Sequence, residues 1–309
     1  MEKHLYIIGN GFDIHHGIPS KYYDKKGGSC FRKWLDENNC ELLCEIDENF
    51  GSTNESWWSK FEDSLASIET LRVANEEAFE HYPNFGSDDF RDRDWYEAEL
   101  SVGNRLNNVY SNIISAFRNW INQLPIGNPQ MKVRIEMTNS SFLTFNYSDT
   151  LETLYGVSPS SILYIHGKVK SNDALILGHG LTYQDLEKEF EKNEKVDGGD
   201  YVYQRAKSAA LFSVANHRKK VEVIIKKNKK WFDGLFDVTQ IHIYGHSLNE
   251  IDMPYFQKIF DTVNRNNVKL EISYLDEKDY ENVKKIMEYE GFSISQYKPI
   301  RLKDLQIST

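Results

Sequence analysis

The chain predicts an α/β fold: a doubly wound, Rossmann-like parallel sheet carrying a large helical insertion. Three observations predict it. Short apolar runs recur along the chain, several of them apolar at nearly every position, as parallel strands covered on both faces require. Helical stretches separate the later runs, and strand–helix alternation indicates a parallel sheet. The first run passes directly into a glycine-rich turn, Leu5-Tyr6-Ile7-Ile8-Gly9-Asn10-Gly11-Phe12-Asp13.

Taken in order, the predicted strands are Leu5–Ile8, Ser141–Phe145, Ile162–Ile165, Leu175–Leu177, Gln240–Tyr244 and Leu270–Tyr274, with Phe292–Tyr297 as an edge strand. The longest predicted helix runs from Trp95 to Leu124, with Leu100, Leu106, Val109, Ile113, Ile114, Phe117 and Ile121 at helical spacing. Met253–Val263 and Asp279–Tyr289 are predicted helices following two late strands. Residues 21–130 hold no convincing strand and many aromatics, among them Trp57, Trp58, Phe61, Trp95 and Trp120, whose first use is core packing. They are read as the helical insertion, leaving residues 1–20 and 131–309 as the α/β core. Residues 182–235 are also helical and charged.

The bulk numbers exclude several classes. A net charge of −10 argues against a protein that grips duplex nucleic acid with a general basic surface. No apolar run approaches the ~20 residues that span a bilayer, and the N-terminal residues lack a signal-peptide pattern. The expectation is a cytoplasmic protein with no membrane partner. Cys30, Cys40 and Cys44 make neither a disulfide framework nor a four-ligand zinc site, and reduced thiols are expected.

Four polar breaks end predicted strands, on the edge of an open α/β sheet where ligands bind. The glycine turn is the first. Glycines let a backbone approach a phosphate closely, or turn tightly for purely structural reasons; Ile14 stands where a dinucleotide fingerprint has its third glycine. The others are Phe145-Asn146-Tyr147-Ser148-Asp149, Ile165-His166-Gly167 and Tyr244-Gly245-His246-Ser247-Leu248. Singly, Asn146 or Asp149 reads as a helix cap, His166 as a hydrogen-bonded histidine and Gly245–Ser247 as a turn. Together they predict one convergent site.

The order of these motifs resembles the sirtuin-like fold, in which a Gly-Ala-Gly turn leads to Gly-Ile-Pro, followed by Asn-x-Asp, His-Gly and Gly-Thr-Ser-Leu. The counterparts here are Gly9-Asn10-Gly11 with Gly17-Ile18-Pro19, then Asn146, His166-Gly167 and Gly245-His246-Ser247-Leu248. The chain more closely resembles the AbiH family of bacteriophage abortive-infection proteins, with Gly-Asn-Gly-Phe-Asp, His-Gly, Phe-Asn-Tyr-x-x-x-Leu-Glu, Ile-His-Gly and a late Tyr-Gly-His-Ser. That resemblance implies an antiviral effector with a pocket for NAD or a related nucleotide, NAD being the expected substrate. By it, Gly9, Asn10 and Gly11 cradle phosphates, and Gly245 and Ser247 meet the adenosine side. Phe12, Ser148, Gly167 and His246 complete the nucleotide pocket. Asn146 orients the nicotinamide ribose or a water, and His166 is the acid/base. A histidine titrates near neutrality without tuning, and an asparagine supplies fixed dipoles without charge.

Departures from the sirtuin-like pattern shape the expectation. Ser148 stands where the ribose-binding carboxylate falls, with Asp149 one place later; Asp13 is the substitute candidate. No cysteine lies beyond Cys44, so no zinc module and no zinc-dependent deacylation are expected. His16, His179 and His246 are second-rank candidates. Two alternatives stand beside NAD hydrolysis: a metal-dependent nuclease effector using Asp13, Asp149 and His166, and a non-catalytic nucleotide-binding sensor whose helical insertion serves self-association or a defence-system partner protein.

Overall fold

A computed structural model describes residues 2–51, 53–193 and 200–307. Six strands form one all-parallel sheet: β1 (His4–Ile8), β2 (Ser140–Thr144), β3 (Ile162–Tyr164), β4 (Gln240–Tyr244), β5 (Lys269–Ser273) and β6 (Tyr297–Ile300). Their spatial order is β3-β2-β1-β4-β5-β6. That is the doubly wound order, with its direction of winding reversing between β1 and β4.

Both faces of the sheet are covered, which explains the near-continuous apolar run of β1. Leu5, Ile7, Leu143, Ile241, Ile243, Leu270 and Ile272 pack on one face with Phe256, Ile259 and Phe260 of the helix Met253–Thr262 and with Val283 and Met287 of the helix Glu277–Tyr289. Tyr6, Ile8, Phe142 and Tyr244 pack on the other with Phe12, Val133, Leu151 and Leu302.

Two predicted strands are corrected. Leu175–Leu177 is not a strand. Ile176 spends its N–H on the His166 carbonyl (2.9 Å), and its own carbonyl accepts from the Tyr147 hydroxyl (2.8 Å), so the segment is tied down at one residue instead of laddered. The edge strand is Tyr297–Ile300; Phe292 turns inward to the core, and Pro299 is tolerated because β6 has a neighbour on one side only.

The chain divides into two compact units: Met1–Lys21, Arg118–Ile176 and Lys220–Thr309, which hold the sheet; and Tyr22–Phe117 with Leu177–Lys219. The second unit has no strand among its described residues. Its core is aromatic, with Phe31, Trp58, Phe61 and Phe117 buried against one another. The long helix is Glu97–Gln123. Its buried stripe runs through Ala98, Val102, Leu106, Val109, Ile113, Phe117 and Trp120, while Leu100 is exposed, because it lies off that i, i+3, i+4 line. Cys30, Cys40 and Cys44 are free thiols. No helix among the described residues is long and apolar enough to cross a membrane.

Candidate functional site

Strand register builds the site. Ile8 of β1 pairs with Thr144 of β2 and Tyr244 of β4, and Thr144 pairs with Tyr164 of β3. Asn10, Asn146, His166 and His246 therefore each stand two residues past the same level of the sheet, at its C-terminal edge.

The turns after β1 and β4 interlock. Gly9 N–H bonds the Tyr244 carbonyl (2.9 Å) and Gly11 N–H the Gly245 carbonyl (2.8 Å). A Cβ on Gly9 would lie 2.6 Å from the Gly245 carbonyl oxygen, and one on Gly245 only 2.0 Å from the Phe12 nitrogen. Gly245 also has φ +69°, a left-handed conformation that glycine adopts freely. Phe12 N–H returns to the Gly9 carbonyl, and Gly245 N–H is held by Ser273 Oγ at 2.7 Å. The N–H groups of Gly9, Gly11, Phe12 and Gly245 are thus engaged within the protein. The Asn10 carboxamide clasps Ser20, donating to its carbonyl (2.9 Å) and accepting from its hydroxyl (2.5 Å). Phe12 is fully buried in the core, whereas Ser247 is exposed.

Asp13 and Asn146 form one buried polar group, at 2% and 6% exposure. Ser148 Oγ donates to Asp13 Oδ2 at 2.5 Å and lies 3.0 Å from Thr150 Oγ1. Asp13 Oδ1 and both polar atoms of the Asn146 carboxamide have no partner at hydrogen-bond geometry. Burial raises the Asp13 carboxyl above its ordinary value, the charge of Asp149 pushes the same way, and Ser148, Thr150 and Asn146 oppose the shift. Ser148, Asp149, Thr150, Tyr147, Ile18 and Lys170 help line a small cleft of about 30 Å³, so Ser148 touches both this cleft and the buried carboxyl. Asp149 holds the N-cap position of the helix Thr150–Tyr155 without a side-chain cap bond; its carboxylate binds Lys170 at 2.9 Å instead.

A second group is built from histidines. His166 is 2% exposed, and its Nε2 lies 3.9 Å from Asp252 Oδ1; His246 Nε2 lies 3.5 Å from Asp252 Oδ2. The Phe145 ring packs on both imidazoles, its centroid 5.3 Å from that of His166 and 4.3 Å from that of His246. Gly167, at φ +87°, lets the chain turn back so that a Cβ there would meet the Ala174 carbonyl at 2.6 Å. The returning segment is strapped by Arg118, whose guanidinium donates to the carbonyls of Val169 (2.7 Å), Ser171 (3.0 Å) and Asp173 (2.5 Å).

Two second-rank histidines have structural duties. His16 donates from Nδ1 to the Phe12 carbonyl (2.7 Å) and accepts from the Tyr155 hydroxyl (2.7 Å), and burial pushes its pKa down to about 4. His179 belongs to the helical unit, where its Nε2 bonds the Val214 carbonyl, its Nδ1 accepts from Leu181 N–H, and burial pushes its pKa to about 4. The donor atoms of Asp13, Asp149 and His166 do not gather within 4.8 Å of one another. Among the described residues the group that does is Glu77, Glu80 and His81, in the helical unit.

Asp252 escaped the sequence reading, since an acid before a predicted helix is ordinarily a cap or a dipole partner. The signal was Asp252-Met253-Pro254: proline at the second helical position removes one of the two N–H groups such a cap would bind.

The family described as bacteriophage abortive infection AbiH matches residues 5–274. No curated protein matches the chain, and no solved structure does.

Proposed function

This chain belongs to the AbiH family of bacteriophage abortive-infection proteins, and on that premise we propose that its buried polar edge binds NAD or a related nucleotide and hydrolyses the nicotinamide–ribose bond. The observation that carries the reading is the common level of Asn10, Asn146, His166 and His246 past the ends of β1, β2, β3 and β4. In a doubly wound sheet that edge is where ligands bind.

The buried polar atoms support it further. An unpartnered buried polar group costs about 1–3 kcal/mol. Asp13 Oδ1 and both polar atoms of the Asn146 carboxamide are buried without a partner at hydrogen-bond geometry, and hydroxyl groups of a ribose would supply partners to both. Cleavage of the bond passes through an oxocarbenium-like state. A carboxylate and an oriented amide dipole, both nearly dry, stabilise developing positive charge far better than they would in water. His166 supplies the acid/base. Because the N–H groups of Gly9, Gly11 and Gly245 are engaged internally, recognition in this reading rests chiefly on Asp13, Asn146 and Ser148. Access in this reading is from the side of Ser148, which lines the cleft.

The test is free nicotinamide released from NAD by the purified chain. His166→Ala or Asn146→Ala should lower the rate by about 10²–10⁴-fold. An active wild type whose rate neither substitution changes contradicts the assignment. Tight binding of NAD with no nicotinamide released would make the protein a sensor instead.

A further inference from the structure

We propose that Asp252 is the positioning residue of this site: lying between two imidazoles, its carboxylate holds His166 and His246 in the Nε2–H tautomer with that N–H turned toward it. The inference rests on the functional reading above only for its catalytic consequence.

Asp252 occupies the N-cap of the helix Met253–Thr262 but makes no side-chain cap bond. The reason is local. A capping side chain binds the N–H of the second or third helical residue. The second is Pro254, which has none, and the Tyr255 N–H is taken by the backbone carbonyl of Asp252 itself at 3.0 Å. Forgoing the cap gives up about 1 kcal/mol and leaves the carboxylate for another use. It is 6% exposed among aromatic rings, where a charge must find compensation. Among the groups in reach are His246 Nε2 at 3.5 Å from one oxygen and His166 Nε2 at 3.9 Å from the other, the latter an ion-pair contact longer than a hydrogen bond. The tautomer of His246 follows independently. Its Nδ1 accepts the Leu248 N–H at 2.9 Å, so the proton of the neutral ring sits on Nε2, facing Asp252. Leu248 holds a left-handed φ of +53° in making that bond, a conformation that a leucine keeps only when its surroundings impose it. Tyr255, whose ring centroid lies 5.9 Å from that of His166, feels the same carboxylate: burial raises its phenol pKa, and the Asp252 charge raises it further.

The experiment reads tautomers directly, by long-range proton–nitrogen correlation NMR of the full chain above about pH 8, where unperturbed imidazoles are neutral. His166→Gln and His246→Gln spectra assign the signals. The wild type should show Nε2–H patterns for both rings. Asp252→Asn, whose amide can donate to Nε2, should move His166 toward Nδ1–H, and Asp252→Glu should restore the wild-type pattern. A wild-type His166 in the Nδ1–H form overturns the proposal, and so does a folded Asp252→Asn protein with His166 unchanged. Should Asp252→Asn fail to fold, the wild-type spectrum and Asp252→Glu decide the matter. Nicotinamide release from NAD is the second readout: Asp252→Asn should lower kcat by about 10²-fold, with KM changed by less than about 3-fold. A wild type that leaves NAD intact would sink the hydrolase reading and leave the tautomer result standing.

Discussion

Asp13 concentrates the energetics of the site in one residue. A carboxyl buried beside partners too few to satisfy it is held above its ordinary value of 3.8. The folded state then binds more protons than the unfolded chain between the unfolded pKa and the raised folded one, so this group's contribution to stability falls as pH rises through that window. Asp13→Asn keeps the shape and cannot ionise. The melting temperature of the variant relative to wild type should therefore climb as pH rises above the ordinary value of 3.8; a difference that stays flat as the pH rises would show that Asp13 is not penalised for its charge. His16 was legible in the sequence as a histidine near the glycine turn. Its role was not, because both of its ring partners, the Phe12 carbonyl and the Tyr155 hydroxyl, are decided by packing. Asp252 was harder to find, because an acid at a helix start is ordinarily a cap and only Pro254, two residues on, argued against that role.

At the scale of elements, two connections shape the site. The interlocked turns after β1 and β4 explain the glycines. A turn that must approach another backbone looks, in sequence, like one that must approach a phosphate. Gly245→Ala would force a Cβ to 2.0 Å from the Phe12 nitrogen at φ +69° and should cost more than about 4 kcal/mol. Gly17→Ala, at φ +79° with nothing within 4 Å, should cost about 1–2 kcal/mol. Urea unfolding compares them, and equal losses would refute the interlock. The second connection is the returning segment after Gly167, tied by Arg118 to three carbonyls. Arg118→Ala should weaken local closure by about 2 kcal/mol, which speeds hydrogen exchange at the Val169 and Ile176 amides by about 30-fold. Unchanged exchange there would mean that the strap is not what holds the segment. The same segment misled the strand prediction at Leu175–Leu177, since apolar β-rich residues satisfy a strand pattern whether or not a neighbour is free to ladder with them.

At the scale of the whole molecule, the sheet was the most legible feature. β1 is nearly continuous in apolar residues because helices and loops cover both faces, whereas β4 and β5 alternate Ile241, Ile243, Leu270 and Ile272 with Gln240, His242, Lys269 and Glu271. The convergence of Asn146, His166 and His246 was legible as order along the chain, but their common level needed the register. Membership of the AbiH family makes the chain an abortive-infection protein. The most direct measurement is mass spectrometry of nucleotides in infected cells, during an infection that the wild-type chain aborts and that is repeated with His166→Ala. The account predicts that NAD falls and free nicotinamide rises with the wild type alone. Equal NAD in both cultures, while only the wild type still aborts the infection, would contradict it.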